Sequence, residues 1–152
     1  MRAAREMAAR IPYLDGFLVQ RMASAGAELI VGVVSDPDFG PVVACGAGGH
    51  AVELLGDVAV RLTPLGPRGA EEMLRSLRTF PLLNGYRGAQ PADVAAIEDA
   101  LLRISALAAA HPEIAELDCN PLCAGPDGAT VVDARVRVAP APPPRPFPAL
   151  DR

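Results

Sequence analysis

Lysine is absent: all fourteen basic side chains in the 152 residues are arginine. That excludes from this chain a phosphate-loop lysine, a Schiff-base lysine and a lysine gripping nucleotide phosphates. Any nucleotide chemistry would draw that charge from another polypeptide or go without it. Basic clusters are missing too. With a net charge of −4, nothing tracks a nucleic-acid backbone or an anionic lipid surface, so neither nucleic acid nor membrane is an expected partner. No apolar stretch in the first twenty residues has signal-peptide length, and no later one could span a bilayer. Residues 1–11 are Arg-rich and acid-poor, as transit peptides are, but read better as an amphipathic helix leading into the domain. The three cysteines, Cys45, Cys119 and Cys123, are an odd number without framework spacing. They read as small reduced core residues of a cytoplasmic protein.

What is present is apolar residues, 51% of the chain, enough for one domain to bury a core without staples. Residues 14–22 form a β-rich run ending in small turn residues at Ala23-Ser24-Ala25-Gly26, and residues 28–34 read as a second strand, so a hairpin is expected. Asp36-Pro37-Asp38-Phe39-Gly40-Pro41 is dense in turn formers. Residues 42–45 are short and apolar, Gly46-Ala47-Gly48-Gly49 follows, and residues 51–62 look extended with a break at Gly56-Asp57. After Pro67, Ala70, Met73, Leu74 and Leu77 share one face of a short helix. Residues 81–90 read as a loop. A longer helix is expected over 91–110, with Pro91 at its first position, Asp93 at its positive end and a buried stripe of Val94, Ile97, Leu101, Ile104 and Ala108. Strands over 114–121 and 130–138 flank Gly125-Pro126-Asp127-Gly128. Beyond Val138, six of fourteen residues are proline, favouring an extended, unpacked tail over 139–152. The predicted class is α+β, a largely antiparallel sheet with two main helices on one face.

The last hairpin carries the chemistry. Strand alternation puts Glu116, Asp118 and Asn120 on one face, with Asp133, Arg135 and Arg137 on the same face of the returning strand. A tight turn at Gly125–Gly128 would set Asn120 across from Asp133, Asp118 across from Arg135 and Glu116 across from Arg137, the apolar sets pairing on the core side. An amide oxygen and a carboxylate on neighbouring strands suit half of a Mg²⁺ site, since Mg²⁺ takes one or two protein oxygens and completes its shell with water and phosphate. The same pattern fits ordinary cross-strand ion pairs on a solvated face. On pairing alone both readings stand.

The segment Glu116-Leu117-Asp118-Cys119-Asn120-Pro121-Leu122, followed by Val132-Asp133-Ala134-Arg135-Val136, resembles the closing hairpin of the ATP-grasp domain in ADP-forming acyl-CoA synthetases. It is also similar to that of the succinyl-CoA ligase β-subunit. Further matches come in the family's order: Val19-Gln20-Arg21-Met22, Gly26-Ala27-Glu28-Leu29-Ile30-Val31-Gly32-Val33, Asp36-Pro37-Asp38-Phe39-Gly40-Pro41, Gly46-Ala47-Gly48-Gly49 and Leu82-Leu83-Asn84-Gly85-Tyr86-Arg87-Gly88. The resemblance implies an ATP-grasp C-terminal subdomain over 1–138, with 1–11 as its lead-in helix. It implies ATP and Mg²⁺ as cofactors: Gln20, Arg21 and Met22 as a hinge strand against adenine, Glu28 near the ribose, Gly48 and Gly49 in a loop near the active site, Asn120 and Asp133 on the metal, and Asp118 beside them. CoA would enter only through a partner domain. The resemblance further implies partners carrying the front ATP-grasp lobe and the CoA-binding and ligase domains, without which the chain would not catalyse. The surface where that lobe docks is equally open to self-association into a homo-oligomer. The alternatives are a regulatory nucleotide-binding module, as in acyl-CoA synthetase-like protein acetyltransferases, or an inactive remnant.

Other signals are weaker. Gly46-Ala47-Gly48-Gly49-His50-Ala51 formally fits a dinucleotide fingerprint, but the extended run after it does not supply the helix that motif needs. His50 reads as a loop residue without a carboxylate partner, and His111 as a helix-end cap. Arg87, between two glycines, reads as a contact to loop carbonyls, to phosphate or to the missing lobe.

Overall fold

The computed structural model describes residues 2–23, 26–49 and 56–141. Expectations for His50, for residues 51–55, for Ser24 and Ala25, and for the tail from Pro142 onward lie outside the described residues. Among these, the element order is α1 (Arg2–Arg10), β1 (Ala27–Asp36), β2 (Gly40–Ala47), β3 (Val58–Leu62), α2 (Pro67–Arg75), α3 (Phe80–Leu83), a 3-10 turn (Tyr86–Gly88), α4 (Val94–Ala110), β4 (Ile114–Gly125), β5 (Gly128–Val131) and β6 (Ala134–Val138).

The six strands make one sheet in the order β3-β2-β1-β4-β5, with β6 also on β4. Every pairing is antiparallel. The predicted α+β class holds, with α2 and α4 on one face. Three rows of side chains explain why that face is covered. Ala47, Leu29 and Leu122 align across β2, β1 and β4, as do Cys45, Val31 and Cys119, and Val43, Val33 and Leu117. All nine are buried. Onto these rows α4 lays Ile97, Leu101 and Ala108, and α2 adds Ala70, Met73 and Leu74. The predicted helical stripe is thus the one that meets the sheet. Burial also pushes the Cys45 thiol up to about 12, so it stays a neutral, inert core group.

Four expectations need correction. Residues 14–22 do not form a strand and pair with nothing in the sheet. Strand propensity is local, whereas the expected hairpin needs a free edge on β1, and β1 gives its two edges to β2 and β4. The long helix begins at Val94, not at Pro91, because Asp93 acts as its N-cap, its side chain accepting from the Ala96 N–H at 3.0 Å. Residues 81–90 are not a plain loop, since α3 and the 3-10 turn lie in or overlap that stretch. Finally, Val132, Val136 and Val138 are exposed rather than on a covered core side; α4 packs on β1, β2, β4 and β5, while β6 is exposed along its whole length.

Two buried polar residues fasten loops to this core. The Ser105 hydroxyl in α4 accepts from the Leu65 N–H at 2.7 Å. Asp57, 7% exposed, accepts from the Arg78 N–H at 2.9 Å, the Thr79 N–H at 2.8 Å and the Thr79 hydroxyl, and pairs with the Arg78 guanidinium at 3.7 Å. Burial raises its pKa, but these hydrogen bonds outweigh it and hold the carboxyl below its ordinary value. A depressed folded pKa means a stabilisation present above the unfolded carboxylate pKa and lost as pH falls through the folded one. Asp57→Ala should therefore lower stability by about 2 kcal/mol at neutral pH by stranding the α2–α3 loop amides. The deficit against wild type should shrink as the solution is acidified below the ordinary carboxylate pKa. Urea melts of both proteins at neutral and acid pH read this directly.

Candidate functional site

Among the described residues, the second face of the sheet carries no helix. Alternation puts Glu28, Gly32 and Val34 of β1 there, with Val58, Val60 and Leu62 of β3 and Glu116, Asp118 and Asn120 of β4. The β3 side of this face is apolar and exposed, while the β4 side is charged.

The charged end has the predicted register. Glu116 lies across from Arg137, Asp118 across from Arg135 and Cys119 across from Ala134. Past β6 the Asn120 N–H donates to the Asp133 carbonyl at 3.1 Å, and the Val132 N–H to the Pro121 carbonyl at 2.9 Å. The same register resumes from Leu122–Val131 to Gly125–Gly128. Asn120 and Asp133 therefore face each other, with Asp118 two residues away on the same strand. Over 117–119 β4 buries the odd positions Leu117 and Cys119, whereas Leu122 and Ala124 are the buried ones afterwards. The change of phase coincides with the register shift between Leu29–Leu122 and Val31–Cys119. A bulge of this kind turns a strand locally and leaves both Asn120 and Pro121 off the core side.

Ion pairing follows one prediction and departs from another. Arg137 Nε meets Glu116 Oε2 at 3.1 Å as expected, but Arg135 Nε lies 3.6 Å from Asp133 Oδ2 rather than engaging Asp118. The Asp133 side chain remains exposed. Among the described residues no group of three or more His, Cys, Asp or Glu side chains converges as a metal site. A cation here would instead need the Asn120 amide oxygen, one or two of the carboxylates, and oxygens from phosphate and water. The donor set, all hard oxygen and open to solvent, fits Mg²⁺ in that partial role.

The second group is a corner at the start of β1. The Gly48 N–H donates to the Glu28 carbonyl at 2.7 Å. A Cβ on Gly48 would sit 2.7 Å from the Glu28 carbonyl carbon, and one on Gly49 (φ +77°) would meet Glu28 Oε2 at 3.2 Å. The two glycines thus wrap the Glu28 backbone and side chain, which no bulkier pair could do. On the other strand Glu28 faces Cys123, whose thiol is raised by burial and then by the Glu28 charge.

Beside this corner lies a cavity of about 630 Å³, within the range of small-molecule pockets. Glu28, Gly48, Leu83 and Ala124 line it, together with Thr79, Tyr86 and Gln90, which sequence reasoning did not single out. The available signal was Asn84-Gly85-Tyr86-Arg87-Gly88, where Gly85, Arg87 and Gly88 all have positive φ, Arg87 at +54°. Arg87 stacks over the Tyr86 ring at 5.3 Å. Gln20, Arg21 and Met22 are brought to neither group. They are exposed, belong to no strand and do not line the cavity.

A helix-backed antiparallel sheet whose other face bears hard oxygen donors defines an α+β lobe. The model of the ATP-grasp domain matches residues 1–138, and the chain belongs to that family. It is 47% identical over 123 residues to an ADP-forming acetate–CoA ligase I of Archaeoglobus fulgidus, covering 81% of this chain and 18% of that one. It is 43% identical to the β-subunit of the Pyrococcus furiosus ADP-forming acetate–CoA ligase I, covering 81% and 53%. Among solved structures, a dinucleotide-forming acetyl-coenzyme A synthetase 1 of Ca. Korarchaeum cryptofilum, in complex with coenzyme A and Mg-AMPPCP, superposes with a TM-score of 0.75 at 46% identity. That match covers 77% of this chain and 55% of that one. The chain thus spans about half of the β-subunit relative and under a fifth of the single-chain one.

The glycine corner gives a prediction of its own. Gly48→Ala places a methyl against Glu28 backbone, which cannot swing away, so the corner must open. A loss of about 1–3 kcal/mol is expected, with altered amide shifts at Glu28 and Cys123 in NMR spectra. An Ala variant as stable as wild type would mean that the corner is not close-packed.

Proposed function

We propose that this chain is the Mg·ATP-binding C-terminal lobe of an ADP-forming carboxylate–CoA ligase, acting with a second ATP-grasp lobe and with CoA-binding and ligase domains on another chain. The observation that carries the reading is the meeting of Asn120 and Asp133, with Asp118 beside them, on the helix-free face of a chain of this family.

Each residue has a definable task in that reading. Asn120 and Asp133 present oxygens to the cation from two backbone positions tied together by the Asn120 N–H to Asp133 carbonyl bond, so their separation does not depend on loop position. Asp118 would stand beside them as a further oxygen ligand or as an acceptor for a metal-bound water. Arg135 restrains the Asp133 carboxylate. Mg²⁺, when bound, neutralises charge on the nucleotide phosphates as the γ-phosphoryl moves. Glu28, fixed by Gly48 and Gly49, marks the sugar end of the site, and Gln20, Arg21 and Met22 reach the base only after residues 14–22 are held by the second lobe. The absence of lysine fits this division of labour, because the charge that grips the phosphates then comes from the partner. No helix of the described residues is long and apolar enough to cross a membrane.

The test is thermal denaturation with and without Mg·ATP. A ligand at a hundred times its Kd stabilises by about 2.7 kcal/mol, a shift of several degrees for a domain of this size. Asn120→Ala and Asp133→Ala should each remove the shift while leaving the ligand-free melting temperature within about 2 °C, since both side chains are exposed. EDTA should remove it in the wild type. A shift that survives both substitutions would place the nucleotide elsewhere.

A further inference from the structure

Among the described residues, β3, β5 and β6 each keep an unpaired outer edge. They differ in what they offer a partner. β5 is four residues long. β6 alternates arginine with valine, and β3 is apolar but for Arg61.

Backbone bonds show which groups the β3 edge presents. The Thr63 N–H donates to the Pro41 carbonyl at 3.2 Å, and the Ala47 N–H to the Asp57 carbonyl at 3.3 Å. Odd-numbered residues of this strand therefore bond to β2, and the N–H and C=O groups of Val58, Val60 and Leu62 point the other way, off the sheet. Their side chains stand on the helix-free face, 54%, 52% and 57% exposed. One edge group has a substitute partner, since Arg61 Nη1 donates to the Val60 carbonyl at 2.9 Å. A cation held at the middle of an open edge is the kind of guard that natural proteins set against strand pairing.

Charge decides which edge can meet a copy of itself. Two antiparallel copies of one strand, related by a two-fold axis with the same face up, place residue i across from j and j across from i. For β6, centring the axis on Arg135, Val136 or Arg137 always sets an arginine across from an arginine of the second copy. Like charges directly opposite destabilise a sheet. Centred on Val60, β3 has no such conflict. Val60 meets Val60, Val58 meets Leu62, and Arg61 meets Ala59 of the second copy. The same register puts each outward-facing residue into a hydrogen-bonded pair.

We infer that β3 is a homodimer seam, joining two copies of this chain antiparallel about Val60 into one continuous sheet. Arg61 is the brake on that pairing, because its bond to the Val60 carbonyl must be released first. Joined in the plane of the sheet, the copies leave the helix-free face clear. Asn120 on β4 lies beyond β2 and β1 from the seam, and Asp133 faces Asn120, so the candidate site and the seam do not overlap. A short edge buries little area, which places the dimer in the weak, concentration-dependent class.

The experiment is sedimentation of the full chain over a series from micromolar to near-millimolar concentration, without nucleotide. Wild type should pass from monomer to dimer across the series. Val60→Pro removes the central outward N–H, a change that an edge strand tolerates, and Val60→Lys sets like charges across the axis. Each should raise the dimer Kd at least about tenfold, with circular-dichroism melts at low concentration confirming that the variants fold. Arg61→Ala frees the Val60 carbonyl and should lower the Kd by about threefold or more. Val34→Lys, on the same face of β1 but away from the edge, should leave the dimer unchanged. A dimer lost in Val34→Lys would mean that two copies stack face to face. That result, a wild type monomeric at every concentration, or a dimer indifferent to both Val60 substitutions would overturn the β3 seam. No nucleotide enters the measurement, so its failure leaves the Mg·ATP reading standing.

Discussion

Register along β4 is the constraint on which the rest of this molecule depends. One twelve-residue strand pairs with β1 on one edge and with β5 and β6 on the other. A slip of one residue would turn Leu117 and Cys119 toward solvent and Asp118 and Asn120 into the apolar layer. The cost of burying those polar groups is several kcal/mol each, so the core and the open face enforce the same alignment. The turn at Gly125–Gly128, with Gly128 at φ +127°, sets this register from one end. The ion pair between Glu116 and Arg137 holds it at the other, just before the register shifts toward Ile114.

The chemistry of the open face inherits its precision from that alignment. Neither Asn120 nor Asp133 sits in a flexible loop held by its own side chain. Each is fixed by backbone bonds between β4 and the connection from β5 to β6. The glycine corner works in the same way, with Gly48 and Gly49 shaped to the backbone of Glu28 rather than to its rotamer. Glu28 lies on β1 and Asn120 on β4, which pairs with it, so a ligand bridging the two groups would touch one sheet. What such a sheet cannot do alone is enclose a phosphate chain, and its apolar valines on β3 stay exposed.

How much of this was legible beforehand depended on how local each signal is. The pairing of Asn120 with Asp133 could be counted from the turn because hairpin register propagates from one tight turn. The α4 stripe and the Asp36 turn, where Asp36 accepts from the Asp38 and Phe39 amides, are local as well. Residues 14–22 carry as strong a strand signal as β1, yet remain unpaired, because pairing depends on an edge that no window of sequence reveals. The exposed Val136 and Val138 failed for a similar reason, as only the length and crossing of α4 decide which strands it covers. Asp93 replacing Pro91 at the helix start shows a third limit, two valid N-terminal signals two residues apart.

Paramagnetic broadening would test the central claim most directly. Mn²⁺ with a non-hydrolysable ATP analogue substitutes for the Mg²⁺ complex, and amide signals near the ion disappear from the NMR spectrum. The account predicts selective loss at Asp118, Asn120 and Asp133, with the amides of α2 and α4 on the opposite face unaffected. Loss centred on the helix face, or uniform weak broadening over all exposed carboxylates, would contradict it.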